Sequence, residues 1–168
     1  MRKTSNKVLL ALFNIIGDVE GKAFLDLFSG SGQIAEEAWK RGARPVVAVE
    51  SDRMLCTKLR RLAEDKESFE VFCMDVRRAL PSLSKRGYKF SLIFADPPYE
   101  HGWIKRLLLL LAKYEALLMH DALLVFERSR REKLPLHCKA WKLLKERSYG
   151  DTVLSLFKLD LGRRAEVE

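Results

Sequence analysis

The sequence predicts an α/β fold: a seven-stranded, mostly parallel, Rossmann-like sheet with helices on both faces and a C-terminal antiparallel hairpin. Three observations carry that expectation. Short apolar stretches of strand length alternate with stretches of helical periodicity from residue 23 to residue 127, the pattern of βαβ units building a parallel sheet. The alternation then stops, because "WKLLKERSYG" (141–150) and "DTVLSLFKLD" (151–160) leave no room for a helix between them. The chain has 168 residues, enough to bury roughly two thirds of its unfolded surface around one core. One domain is therefore expected over residues 1–168, with an N-terminal helix at 1–17 and the remaining core at 18–168.

Taken in order, Val8, Leu9, Leu12, Phe13 and Ile16 fall at helical spacing, with Thr4 or Ser5 as N-cap and Gly17 as stop. "AFLDLF" (23–28) is a strand, "SGSG" a loop, and 33–41 a helix closed by Gly42. The theme repeats as strand 46–50 with helix 53–66, strand 69–74 with helix 76–84, and strand 90–95. A helix is expected over 103–119 and a strand over 122–127, followed by the hairpin, whose turn takes its positive φ from Gly150.

Composition excludes several classes. There is no low-complexity tract, and 48% of residues are hydrophobic and 32% charged, as in ordinary globular domains. The longest apolar run, "LLLLLA" from Leu107, is too short to span a membrane, and the N-terminus lacks an apolar signal core. Cys56, Cys73 and Cys138 have no Cys-x-x-Cys spacing, which argues for a reducing, cytoplasmic setting and for core filling. His101, His120 and His137 lack metal-ligand spacing, so no metal site is expected. The net charge of +8 favours a polyanionic partner without saying which one.

Gly30-x-Gly32-x-x-Ala35 follows a strand and opens a helix, and Glu50 stands at the end of the next strand. Those spacings suit a dinucleotide as well as an adenosyl ligand, with Glu50 accepting hydrogen bonds from ribose hydroxyls. Asp26 separates the two. It is expected at the carboxyl end of the first strand, pointing into the crevice, where a pyrophosphate within ~5 Å would cost on the order of several kcal/mol. S-adenosylmethionine carries no phosphate, and for its ammonium Asp26 is an attraction, through waters. Asp75, after the third strand, is spaced to receive an adenine amino group, with the Val76 N–H beside it; it is equally placed to cap the following helix. Both roles are compatible.

"FADPPY" (94–99) stops the fourth strand, since each proline lacks an N–H and holds the preceding residue extended. In such a sheet the fourth strand lies beside the first, so this turn faces the ligand crevice. The Asp96 carboxylate and the Pro97 carbonyl could accept both N–H hydrogens of a planar exocyclic amine, drawing the nitrogen toward tetrahedral geometry so that its lone pair attacks a methyl group. Pro98 stiffens the turn. Tyr99 offers a stacking face, worth roughly 1–3 kcal/mol.

This outline is that of a class I methyltransferase, and the turn resembles the (Asp/Asn)-Pro-Pro-(Tyr/Phe) amino-methyltransferases. Four stretches further resemble the bacterial RsmD-type enzymes, which methylate guanine N2 in 16S ribosomal RNA: "RKTSNKVLLALFNII", "FLDLFSGSGQIAEEAWKRGA", "IFADPPYEHG" and "YGDTVLSLFK". The resemblance implies S-adenosyl-L-methionine as cofactor, S-adenosyl-L-homocysteine as product, and a cofactor pocket formed by Asp26, Phe28, Gly30, Ser31, Gly32, Glu50, Ser51, Asp75, Val76 and Asp96. It implies that Asp96, Pro97, Pro98 and Tyr99 hold the guanine, and that the partner is 16S rRNA, free or in an assembling 30S subunit, with a monomeric enzyme and no membrane or metal. Departures are Lys3 for Pro, Asn6 for Asp, Leu9-Leu10-Ala11 where Arg-Glu is common, and Ala35 for a frequent Gly. Members usually carry a basic strand pair before this point, whereas Met1 here stands almost on the helix. RNA affinity is then expected from the remaining basic surface, a partner or residues upstream. An adenine-N6 methyltransferase, and an inactive nucleic-acid-binding protein on the same fold, are the alternatives.

Overall fold

Successive side chains along each short strand point to opposite faces of the sheet, and in the central strands both faces are buried, each under its own helices. The structure, a computed structural model, describes residues 4–99, 101–134, 137, 138 and 140–160. The strands are β1 (Phe24–Leu27), β2 (Val46–Glu50), β3 (Phe69–Cys73), β4 (Phe90–Ala95), β5 (Leu118–Ser129), β6 (His137–Cys138), β7 (Trp141–Tyr149) and β8 (Thr152–Leu159). The helices are α1 (Asn6–Ile16), α2 (Gln33–Lys40), α3 (Arg53–Ala63), α4 (Val76–Lys85) and α5 (Trp103–Lys113). The sheet order is β3-β2-β1-β4-β5-β8-β7-β6. β3, β2, β1, β4 and β5 run parallel to their neighbours, and β8, β7 and β6 continue antiparallel.

Phe24, Val46, Ala48, Leu92 and Phe94 pack with α1, α2 and Leu59 of α3. Leu25, Leu27, Val47, Val49 and Ile93 pack with α4 and α5. Burying side chains of this size contributes about 1.5–3 kcal/mol each before entropy is counted. Ser5 caps α1, its Oγ accepting the Val8 N–H at 3.3 Å, and Gly17 ends the helix at φ +75°. Gly150 turns the closing hairpin at φ +61°.

Two expectations are corrected. The helix predicted over 103–119 ends at Lys113, a 3-10 turn follows at Glu115–Leu117, and β5 begins at Leu118. The reason is tertiary: Leu118 pairs with Phe90 across an irregularity in β4, and that pairing overrides a helix-compatible apolar run. The seven expected strands are present, but His137–Cys138 adds an eighth at the β7 edge, two residues being too few to leave a periodic signal. Among the described residues no helix is long and apolar enough to cross a membrane. Arg2, Lys3, Glu100 and the His137 side chain lie outside the described residues.

Candidate active site

The parallel strands end together at one edge of the sheet, and the loops leaving those ends line a cleft of about 610 Å³. Its walls are Phe28 from the end of β1, Glu50 and Ser51 from β2, Leu55 from α3, Asp75 ahead of α4, the turn Asp96-Pro97-Pro98-Tyr99 after β4, and Trp103 from α5. Of the residues singled out in the sequence, Phe28, Glu50, Ser51, Asp75 and all four of the turn meet here. The ladder continues past the strands to set this up: the Ser29 N–H donates to the Val49 carbonyl at 2.9 Å and the Asp96 N–H to the Leu27 carbonyl at 3.4 Å.

The glycine loop is fastened from below. Glu50 Oε1 accepts the Gly30 N–H at 2.8 Å and Oε2 accepts the Asp52 N–H at 2.9 Å, so one carboxylate ties the β1 loop to the turn after β2. Each oxygen keeps a lone pair for a further donor. Gly32, at φ +88°, is required by packing against α3. A Cβ there would stand 2.5 Å from Leu59 Cδ2 and 2.8 Å from Leu62 Cδ2 of α3, closer than carbon atoms tolerate. Gly30 is buried, Ser31 half-buried, and neither they nor Gly32 line the cleft wall. Phe28 is held at φ +58°, in a region L-residues seldom occupy.

Asp26 does not point into the crevice as the sequence suggested. Parallel pairing places it on the face shared with Phe24, Ala48 and α2, beneath the loop, with 1% of its surface exposed. Its Oδ2 accepts the Ser29 hydroxyl at 2.7 Å, while Oδ1 is buried without a hydrogen-bond partner among the described residues. Burial raises its pKa from 3.8 to about 7; the Ser29 hydroxyl and, from outside strict hydrogen-bond geometry, the Ala35 N–H offset this in part, and Glu50 adds repulsion.

Asp75 caps α4, Oδ1 accepting the Arg77 N–H at 2.8 Å, and the Arg77 guanidinium grips both carboxylate oxygens at 2.9 and 3.2 Å. That hydrogen bonding holds the Asp75 carboxyl below the usual range. Val76 is buried in the α4 core and does not line the cleft. Cys56 is buried behind Glu50, its thiol donating to the Glu50 carbonyl at 3.0 Å, and burial with the neighbouring Cys73 pushes it up to about 12. Among the described residues no three His, Cys, Asp or Glu gather as a metal-ligand set.

Sequence reasoning missed Leu55 and Trp103. Trp103 meets the Phe28 ring edge-on at 5.1 Å. A large aromatic placed directly after a rigid turn, at the first position of a helix, was the available signal.

With this geometry in view, the comparisons are specific. The family profile described as "Conserved hypothetical protein 95" matches residues 1–158. The chain is 34% identical to "Putative rRNA methyltransferase YlbH" of Bacillus subtilis, over 94% of this chain and 87% of that protein. It is 27% identical to "Ribosomal RNA small subunit methyltransferase D" of Escherichia coli, over 94% of this chain and 79% of the relative. The fold matches that of an RNA methyltransferase from Salinibacter ruber, solved in complex with S-adenosyl-L-homocysteine, with a TM-score of 0.71 at 18% identity, covering 95% of this chain and 94% of that one. The chain belongs to the RsmD family of S-adenosylmethionine-dependent rRNA methyltransferases.

Proposed function

We propose that this chain transfers a methyl group from S-adenosyl-L-methionine to the exocyclic N2 amine of a guanine in 16S rRNA, as a cytoplasmic monomer acting on free RNA or an assembling 30S subunit. The observation that carries the reading is that Asp96-Pro97-Pro98-Tyr99 shares one cleft with Phe28, Glu50 and Ser51. The guanine choice leans on the relatives' names and on the resemblance of the chain's two ends. Relatives that act on rRNA, and a neighbour of the same fold holding S-adenosyl-L-homocysteine, support the substrate and cofactor.

The donor set fits such a cofactor. Glu50 presents acceptors for ribose hydroxyls, Ser51 and Leu55 line the cleft with it, and Asp75 offers a carboxylate to an adenine amino group. The cofactor supplies a methyl group on a sulfonium, and the chain supplies position. Asp96 and the Pro97 carbonyl accept the two N–H hydrogens of the amine, so its lone pair is no longer delocalised into the ring. Tyr99 stacks the base, which must be unstacked from its neighbours to arrive. As the N–C bond forms, the sulfonium S–C bond would break to leave the neutral thioether; the amine becomes acidic only then, so no base acts before attack and the surplus proton passes afterwards to the Asp96 carboxylate or to solvent. Positioning of this kind can supply about 7–11 kcal/mol.

The test is mass spectrometry of 16S rRNA nucleosides from a strain lacking the gene, complemented with the parent chain or with Asp96→Ala. Loss of one N2-methylguanine, restored by the parent and not by Asp96→Ala, is expected. Unchanged N2-methylguanine would overturn the proposal, and loss of N6-methyladenine instead would favour the adenine alternative.

A further inference from the structure

Beside the cleft lies a group of side chains that the methyl-transfer chemistry does not use. Trp103 lines the same cleft as Tyr99 and is braced edge-on by Phe28 at 5.1 Å. Two guanidinium groups lie against its ring, Arg106 at 5.4 Å and Arg77 at 5.8 Å from the centroid. Arg77 comes from the first turn of α4 and Arg106 from the first turn of α5, two helices packed side by side on one face of the sheet. Arg77 is partly neutralised by Asp75, but Arg106 makes no ion pair among the described residues. Arg78 and Lys105, also exposed, stand in the same two turns.

An exposed arginine normally samples many rotamers, and fixing it on a phosphate costs entropy. A tryptophan face beneath the guanidinium reduces that cost while leaving the N–H groups at its edge available to a phosphate oxygen. A rigid aromatic bearing two cations, at the mouth of a cleft that receives one base, matches the spacing problem of a single strand: one nucleotide enters and its flanking phosphates stay outside.

We propose that Arg106, seated on Trp103 with Arg77 beside it, forms a phosphate-binding rim for the single-stranded RNA backbone flanking the target nucleotide. The inference rests on the RNA-methyltransferase reading above. Arg106 carries the net charge of the rim, and Arg77, shared with Asp75, contributes less.

The experiment measures the affinity of a fluorescently labelled single-stranded RNA oligonucleotide with a central guanine, by anisotropy at several salt concentrations, for the S-adenosyl-L-homocysteine-saturated protein. Losing one phosphate contact should lower the slope of log affinity against log salt by about 0.7, which corresponds to about five-fold weaker binding at ~0.1 M monovalent salt. Arg106→Ala should show that change, Arg106→Lys should keep most of the slope, and Arg60→Ala on α3, packed on the other face, should behave as the parent. Calorimetry with S-adenosyl-L-homocysteine should give equal affinity for Arg106→Ala and the parent. A parent-like salt slope for Arg106→Ala, or a parent that does not bind the oligonucleotide, overturns the rim. Loss of S-adenosyl-L-homocysteine affinity in step with RNA affinity also overturns it, by assigning the rim to the cofactor. RNA bound with the predicted slopes but never methylated would count against the proposed function and leave the rim standing.

Discussion

Replacing Asp26 by Asn tests the electrostatics under the glycine loop, because the amide keeps the shape and the Ser29 hydrogen bond while removing the ionisation. In the folded chain burial lifts the Asp26 pKa from 3.8 to about 7. Between those two values the folded protein binds more protons at this site than the unfolded chain, so stability falls as pH rises. The contribution of the protonated carboxyl is complete below about pH 3.8 and gone above about pH 7. At 1.36 kcal/mol per unit, a shift of about three units is worth about 4 kcal/mol. Asp26→Asn escapes this loss, so its stability relative to the parent should grow by about 4 kcal/mol across that window and then level off. Urea denaturation of both proteins at half-unit pH intervals reads the difference directly, since all other titrations cancel. A flat difference, or one that shrinks as pH rises, would refute the assignment of burial as the dominant cause.

Three further changes probe separate parts of the fold. Gly32→Ala must accommodate Leu59 and Leu62 at 2.5 and 2.8 Å and a φ of +88°; thermal unfolding should show a loss of about 2–5 kcal/mol. Ser5→Ala removes the cap that accepts the Val8 N–H, and chemical denaturation should register a loss of about 0.5–2 kcal/mol. Trp141 is fully buried, and its Nε1 has no hydrogen-bond partner among the described residues. Trp141→Phe should therefore lose clearly less stability in the same assay than Trp141→Ala, for which about 3–5 kcal/mol is expected.

Much of this architecture was legible because single residues leave local marks. The strands at 46–50 and 90–95 and the helix stop at Gly17 coincide with the structure, since each is set by an apolar run or by one conformationally permissive residue. The turn at Asp96 was legible because two prolines admit few conformations. What escaped depends on partners far away in sequence. Leu118 became a strand residue through Phe90, and Trp103 joined the cleft through its contact with Phe28. Asp26 was assigned correctly to a strand end but to the wrong face, because its direction follows from the register with β2 and β4. The glycine motif was found for its spacing, yet Gly32 is demanded by two leucines of α3.

That last point bears on how the cleft meets its ligand. A loop whose shape is imposed by packing on α3, and pinned by the Glu50 carboxylate, is a mould already set before anything enters it. Little conformational freedom remains to be lost on binding, so recognition there depends on fit and desolvation. Natural variation in the loop is tied to the helix behind it: a larger residue at position 32 becomes tolerable only after Leu59 and Leu62 have yielded space.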